Sequence, residues 1–70
     1  MTWEVIISRS AARALKTAPK NDRARILSAL GGMEANPYAG DIAALRGVYK
    51  GAFRRRVGSW RLLFDVDATA

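Results

Sequence analysis

Residues 53–66 constrain this chain more than any other part of it. Two runs of β-forming residues, 53–57 and 60–66, flank the pair Gly58-Ser59. Two residues with a glycine among them have the length and chemistry of a tight hairpin turn, because Gly reaches positive φ without a steric cost. The turn sets a register: Val57 faces Trp60, Arg56 faces Arg61, Arg55 faces Leu62, Arg54 faces Leu63 and Phe53 faces Phe64. Opposed residues share a side of the sheet and successive residues alternate. Phe53, Val57, Trp60, Leu62, Phe64 and Val66 therefore line one face, and Arg54, Arg56 and Arg61 line the other.

The N-terminal half reads differently. Trp3-Glu4-Val5-Ile6-Ile7 is rich in β-formers and runs into Ser8, which can accept a hydrogen bond from the open amides of a following helix. In that helix Ala11, Ala14, Leu15 and Ala18 recur at spacings of three and four, while Arg9, Arg13 and Lys16 form a solvated side. Pro19 closes the first helix and suits the first turn of a second. Ile26, Leu27, Leu30 and Met33 then form an apolar stripe, with Asp22 near the helix N-terminus. Gly31 and Gly32 weaken its last turns, and Asn36-Pro37 ends it. Residues 36–51 read as a loop carrying one helical turn near Ile42 to Leu45. The order strand, helix, helix, strand, strand predicts an α+β fold, one domain over residues 1–70, with the two-helix hairpin on the apolar face of a small antiparallel sheet.

Composition narrows the chemistry. The 70 residues include no Cys and no His, so disulfides, thiolate metal sites and the usual neutral-pH acid and base are all excluded. No cofactor and no metal are expected. Apolar runs reach only four residues, at Ile42 to Leu45, against roughly 20 for a membrane span, and the first residues lack the pattern of a secretory signal. A soluble, cytoplasmic chain without a membrane partner is the expectation.

Charge is where function becomes visible. Twelve Lys and Arg against six Asp and Glu leave a net charge of +6. Half of the positive charge falls in residues 46–61, as Arg46, Lys50, Arg54, Arg55, Arg56 and Arg61, with no acid among them. Arg56 opposite Arg61 puts like charges together, which costs stability unless an anion bridges them. Guanidinium groups match phosphate oxygens in pairs and stay charged, so this face suits RNA or another polyanion. The same charges would also discourage edge-to-edge aggregation. Trp60 has core parity, Trp3 is a weaker stacking candidate, Tyr38 and Tyr49 suit local packing better than proton transfer, and Asp65 and Asp67 suit a solubilising strand end better than a metal site.

The chain resembles the RelE/ParE superfamily of toxins from type II toxin-antitoxin systems. The resemblance rests on residues 3–8 followed by a basic helix, on Leu45-Arg46-Gly47, and above all on Phe53-Arg54-Arg55-Arg56-Val57-Gly58-Ser59-Trp60-Arg61-Leu62-Leu63-Phe64. That block is similar to the family's aromatic-Arg-x-Arg-Val-Gly-x-aromatic-Arg pattern. A RelE-like member is an mRNA interferase, a ribosome-dependent endoribonuclease that cuts mRNA in the A site and inhibits translation. It leaves a 2′,3′-cyclic phosphate and a 5′-hydroxyl.

By position, the resemblance assigns catalysis to Arg61, Arg56 and Arg54, with Arg61 on the transition-state phosphate. It assigns RNA binding to Arg46, Lys50, Arg54, Arg56 and Arg61. Its implied partners are the ribosome with its mRNA and a cognate antitoxin protein. Family members usually continue into a last strand with a C-terminal Arg and Tyr. Here the sequence stops at Ala70, and the strand edge this leaves uncovered makes a homo-oligomer or strand exchange the expectation; Ala52 stands where some active members carry Lys. Arg55 occupies a core-facing position and is expected to snorkel to the sheet margin. Two alternatives share the fold: a ParE-like inhibitor of DNA gyrase, and a catalytically inactive truncated toxin that still binds its antitoxin.

Overall fold

The computed structural model describes residues 3–47 and 51–67. Their contacts divide into two compact units, Met1–Pro37 and Tyr38–Ala70. The first holds helices α1 (Arg9–Thr17) and α2 (Lys20–Ala35); the second holds strands β1 (Ile42–Ala44), β2 (Phe53–Val57) and β3 (Trp60–Phe64). The expected α+β class holds, with two helices and a three-stranded antiparallel sheet in the order β1-β2-β3.

Helix α1 starts where its cap predicts. Ser8 has extended backbone, its Oγ accepts from Ala11 N–H at 3.2 Å and its carbonyl accepts from Ala12 N–H at 2.9 Å. Helix α2 follows Pro19, whose carbonyl accepts from Arg23 N–H at 2.8 Å, and it runs through Gly31 and Gly32 to Ala35. Asn36 caps it by donating its N–H to Gly32 O at 3.0 Å, one residue before Pro37.

The apolar stripes differ from the expected ones. In α2 the enclosed residues are Ile26, Ala29 and Met33, with Leu30 half-buried, while Leu27 is 50% exposed. Ile26, Ala29, Leu30 and Met33 follow one helical face at spacings of three, four and seven, and Leu27 lies off it whatever its hydrophobicity. In and after α1, Ala18 is buried and Leu15 half-buried, but Ala11 and Ala14 are exposed. A short helix has room for little more than one buried turn.

Two of the strand expectations are corrected. Residues 3–7 form no strand; Trp3 donates its N–H to Glu34 O at 2.7 Å, satisfying a carbonyl at the end of α2, and Ile6 is 84% exposed. Strong β propensity describes a side chain suited to a pleated surface and cannot make a strand without a ladder. The third strand comes instead from residues 42–44, read in the sequence as loop. Ile42 pairs with Arg55, Ala43 with Arg54 and Ala44 with Phe53. The ladder extends at both ends, since Arg56 N–H donates to Asp41 O at 2.9 Å and Leu45 N–H donates to Ala52 O at 3.0 Å. β2 has hydrogen-bonding groups on two sides, and β1 satisfies the side that β3 leaves open.

The hairpin forms in the expected register, from Val57 with Trp60 to Phe53 with Phe64. Gly58 has φ +59°, and no non-glycine residue among those described has positive φ. Positive φ at the first central residue alone is the signature of a type II′ turn, whose twist matches that of the strands. On the apolar face Phe53 and Phe64 stack at 5.7 Å, and Tyr38 meets Phe53 edge-on, also at 5.7 Å.

Candidate functional site

The register builds the arginine face in two rows. Nearer the turn, Asp41, Arg56 and Arg61 lie abreast across the three strands; one step further, Ala43, Arg54 and Leu63 lie abreast. All six have the same parity and share one side of the sheet. Successive same-face residues on a strand are separated by roughly 6.6–6.8 Å. Arg54, Arg56 and Arg61 are thus brought together as the sequence predicts.

The opposed pair is a close one. Arg56 points its N–H toward Asp41 on the β1 side. An antiparallel residue sends N–H and C=O to the same side, so Arg56 and Arg61 exchange no backbone bonds, and such pairs hold their Cα atoms only about 4.5 Å apart. Both side chains are exposed. Two unit charges about 7 Å apart in water repel by about 0.6 kcal/mol, an opposition that a bridging anion reverses.

Among the described residues no acid forms an ion pair with Arg54, Arg56 or Arg61. Arg54 is half-buried, and its Nη1 is shielded from solvent without a hydrogen-bond partner in the described structure. A shielded guanidinium nitrogen without an acceptor is costly to the fold. The carboxylate of Asp41 shares the row of Arg56 and Arg61, so the face is not uniformly positive. The sequence reading missed Asp41 because it missed β1.

Arg55 behaves as its position requires. It pairs with Ile42 and Leu62 on the apolar face. Its guanidinium turns to Gly40, just before β1; a Cβ on Gly40 would come within 2.9 Å of Arg55 Cζ. Gly40 also has φ +91°, so glycine is required there for backbone and for space. Its Nε is shielded from solvent against this glycine.

The remaining candidates separate from this cluster. Arg46 is exposed beyond the end of the ladder away from the turn, past Leu45, which lies roughly 13 Å along the strand from Asp41. Lys50 and Tyr49 lie outside the described residues. Tyr38 packs on Phe53, Trp60 is half-buried with apolar-face parity, and Asp65 and Asp67 are exposed after β3. Arg9, Arg13 and Lys16 are exposed on α1. Among the described residues no group of three or more acids could hold a metal ion, and no helix is long and apolar enough to cross a membrane.

One arginine outside the cluster has a role that sequence reasoning did not find. Arg23 donates from Nε to Leu15 O at 3.1 Å and from Nη2 to Lys16 O at 2.8 Å and Ala18 O at 3.1 Å. These carbonyls lie at the C-terminal end of α1, where intrahelical partners run out and a cation is favoured. The only sequence signal was a basic residue in the first turn of a helix that follows another after a short turn.

No protein-family model matches the chain, and neither a curated protein nor a solved structure matches it.

Proposed function

We propose that the arginine face of the sheet binds the phosphate backbone of RNA and that the chain is a RelE-like toxin domain, a ribosome-dependent endoribonuclease that cuts mRNA in the A site. The observation that carries the reading is the close Arg56–Arg61 pair, exposed and without an acid partner among the described residues. Arg54 adds a third guanidinium on the same side. The resemblance of residues 53–64 to the RelE/ParE pattern supports the finer assignment.

The chemistry fits a chain without histidine. The 2′-oxygen of the ribose attacks the adjacent phosphorus, its proton passing to solvent. The bond from phosphorus to the 5′-oxygen breaks, and that oxygen takes up a proton from solvent. A 2′,3′-cyclic phosphate and a 5′-hydroxyl result. Negative charge gathers on the phosphoryl oxygens in the transition state, where Arg61 stabilises it and Arg56 and Arg54 hold the flanking backbone. A cognate antitoxin would silence the domain by covering this face.

The test is incubation of the purified chain with mRNA on programmed ribosomes, with primer extension to locate cuts and Arg61→Ala as control. Cleavage within the A-site codon, lost in the variant, is expected. Uncut mRNA together with inhibition of gyrase supercoiling would replace this reading by the ParE-like one. Uncut mRNA with neither effect would leave an inactive antitoxin-binding chain.

A further inference from the structure

We infer that Leu63 contacts a nucleobase of the bound RNA, so that the face reads a whole nucleotide and not phosphate alone. The inference rests on the RNA reading above and concerns a residue that reading does not use. Leu63 is 61% exposed although it lies within β3. Single exposed leucines are ordinary, and this one is distinguished by its neighbours. It stands on the arginine face, directly across from Arg54 and two residues along the strand from Arg61.

The geometry matches the two ends of a nucleotide. Arg56 and Arg61 form the charged row near the turn, and the Leu63 row lies roughly 6.6–6.8 Å further along the strands. That step is comparable to the reach from a phosphate across its ribose to the base. Ala43, in the same row, is small and half-buried. Arg54 lies between Ala43 and Leu63 and is half-buried with its Nη1 shielded, so the exposed apolar edge that a base can meet in this row is Leu63. Charge complementarity selects a polyanion as occupant: the apolar contact sits beside two exposed cations. A leucine makes no hydrogen bonds to base edges, so the contact should be tolerant of base identity.

The experiment compares two oligomers of equal length by fluorescence anisotropy, a single-stranded RNA and its abasic ribose-phosphate counterpart. The proteins are the full chain, Leu63→Ala, Leu63→Met and Arg56→Ala, each checked for folding by circular dichroism. Wild type should bind the RNA more tightly than the abasic strand. Leu63→Ala should lower RNA affinity by roughly five-fold, as partial loss of a leucine's apolar contact would. It should leave abasic affinity unchanged, and Leu63→Met should restore most of the loss. Arg56→Ala should weaken both oligomers. Equal losses on both oligomers in Leu63→Ala, or no loss on either, would overturn the base contact and leave phosphate binding in place; the second outcome would assign Leu63 to a protein surface. Failure of wild type to bind either oligomer would overturn the RNA reading itself.

Discussion

Arg23 and Arg56 are the same residue type put to opposite uses. In the helical unit Arg23 is half-buried and spends its guanidinium on three carbonyls at the end of α1. In the sheet unit Arg56 is exposed, faces Arg61 across the hairpin, and pairs with no acid among the described residues. The first arrangement satisfies helix-end carbonyls within the fold; the second sets like charges opposite each other, with Asp41 in the same row. An arginine that completes a helix end is structure, and one held against its own kind is, in the proposed function, a binding group.

That contrast is broken or sharpened most strongly at Arg61. Arg61→Ala should reduce A-site cleavage by roughly a hundred-fold or more, the effect of removing one preorganised donor from a transition-state anion. Thermal unfolding should be unchanged or slightly higher. A variant that instead unfolds, with cleavage retained in the folded fraction, would make Arg61 structural and erase the contrast.

The reciprocal substitution is Arg23→Ala. It leaves carbonyls of Leu15, Lys16 and Ala18 without their side-chain donor, and the partial exposure of the site limits the loss to about 2 kcal/mol. Urea unfolding followed by helical circular dichroism should register it, while RNA affinity of the folded protein stays the same. Loss of RNA affinity equal to that of Arg56→Ala would show that both arginines serve the ligand.

Gly40→Ala tests the third use of arginine, Arg55 set against Gly40. The new Cβ meets Arg55 Cζ at 2.9 Å on a backbone of φ +91°, so about 1–2 kcal/mol of stability should be lost. Pairing Gly40→Ala with Arg55→Leu should recover only the contact part of that loss, since the φ strain remains.

The smallest effects are expected at the opposed pair. Arg56→Thr removes a like-charge contact and introduces a β-branched residue, and should stabilise the hairpin by a few tenths to about 1 kcal/mol. The same change should weaken RNA binding and reduce the slope of log affinity against log salt by about 0.7, the value of one phosphate contact on a single strand. Destabilisation with an unchanged salt slope would mean that the pair is already neutralised within the fold.

Legibility followed the range of the governing interaction. The hairpin register was readable because a two-residue Gly-containing turn and a period of two are local properties, and with them came the grouping of Arg54, Arg56 and Arg61. Leu63 was within reach of the same parity argument, since it lies opposite Arg54. β1 was not, because Ala43 and Ala44 carry little β propensity, Ile42 alone is too short a signal, and the three become a strand through the open side of β2. The place of Asp41 in the row of Arg56 and Arg61 was lost with it. Residues 3–7 failed in the other direction, with the propensity of a strand and no ladder to join.

What the sequence by itself determined is the amphipathic hairpin, the starts and stops of two helices, and a chemistry restricted to Arg, Lys, Tyr, Ser and carboxylates by the lack of Cys and His. Each follows from steric and hydrogen-bonding preferences acting over a few residues. Tertiary structure decided which extended segment became the third strand, which helix residues were enclosed, and which arginine was consumed in holding a helix end. Those outcomes depend on hydrogen-bonding groups and apolar surfaces distant in sequence meeting in space, and only the folded chain brings them together.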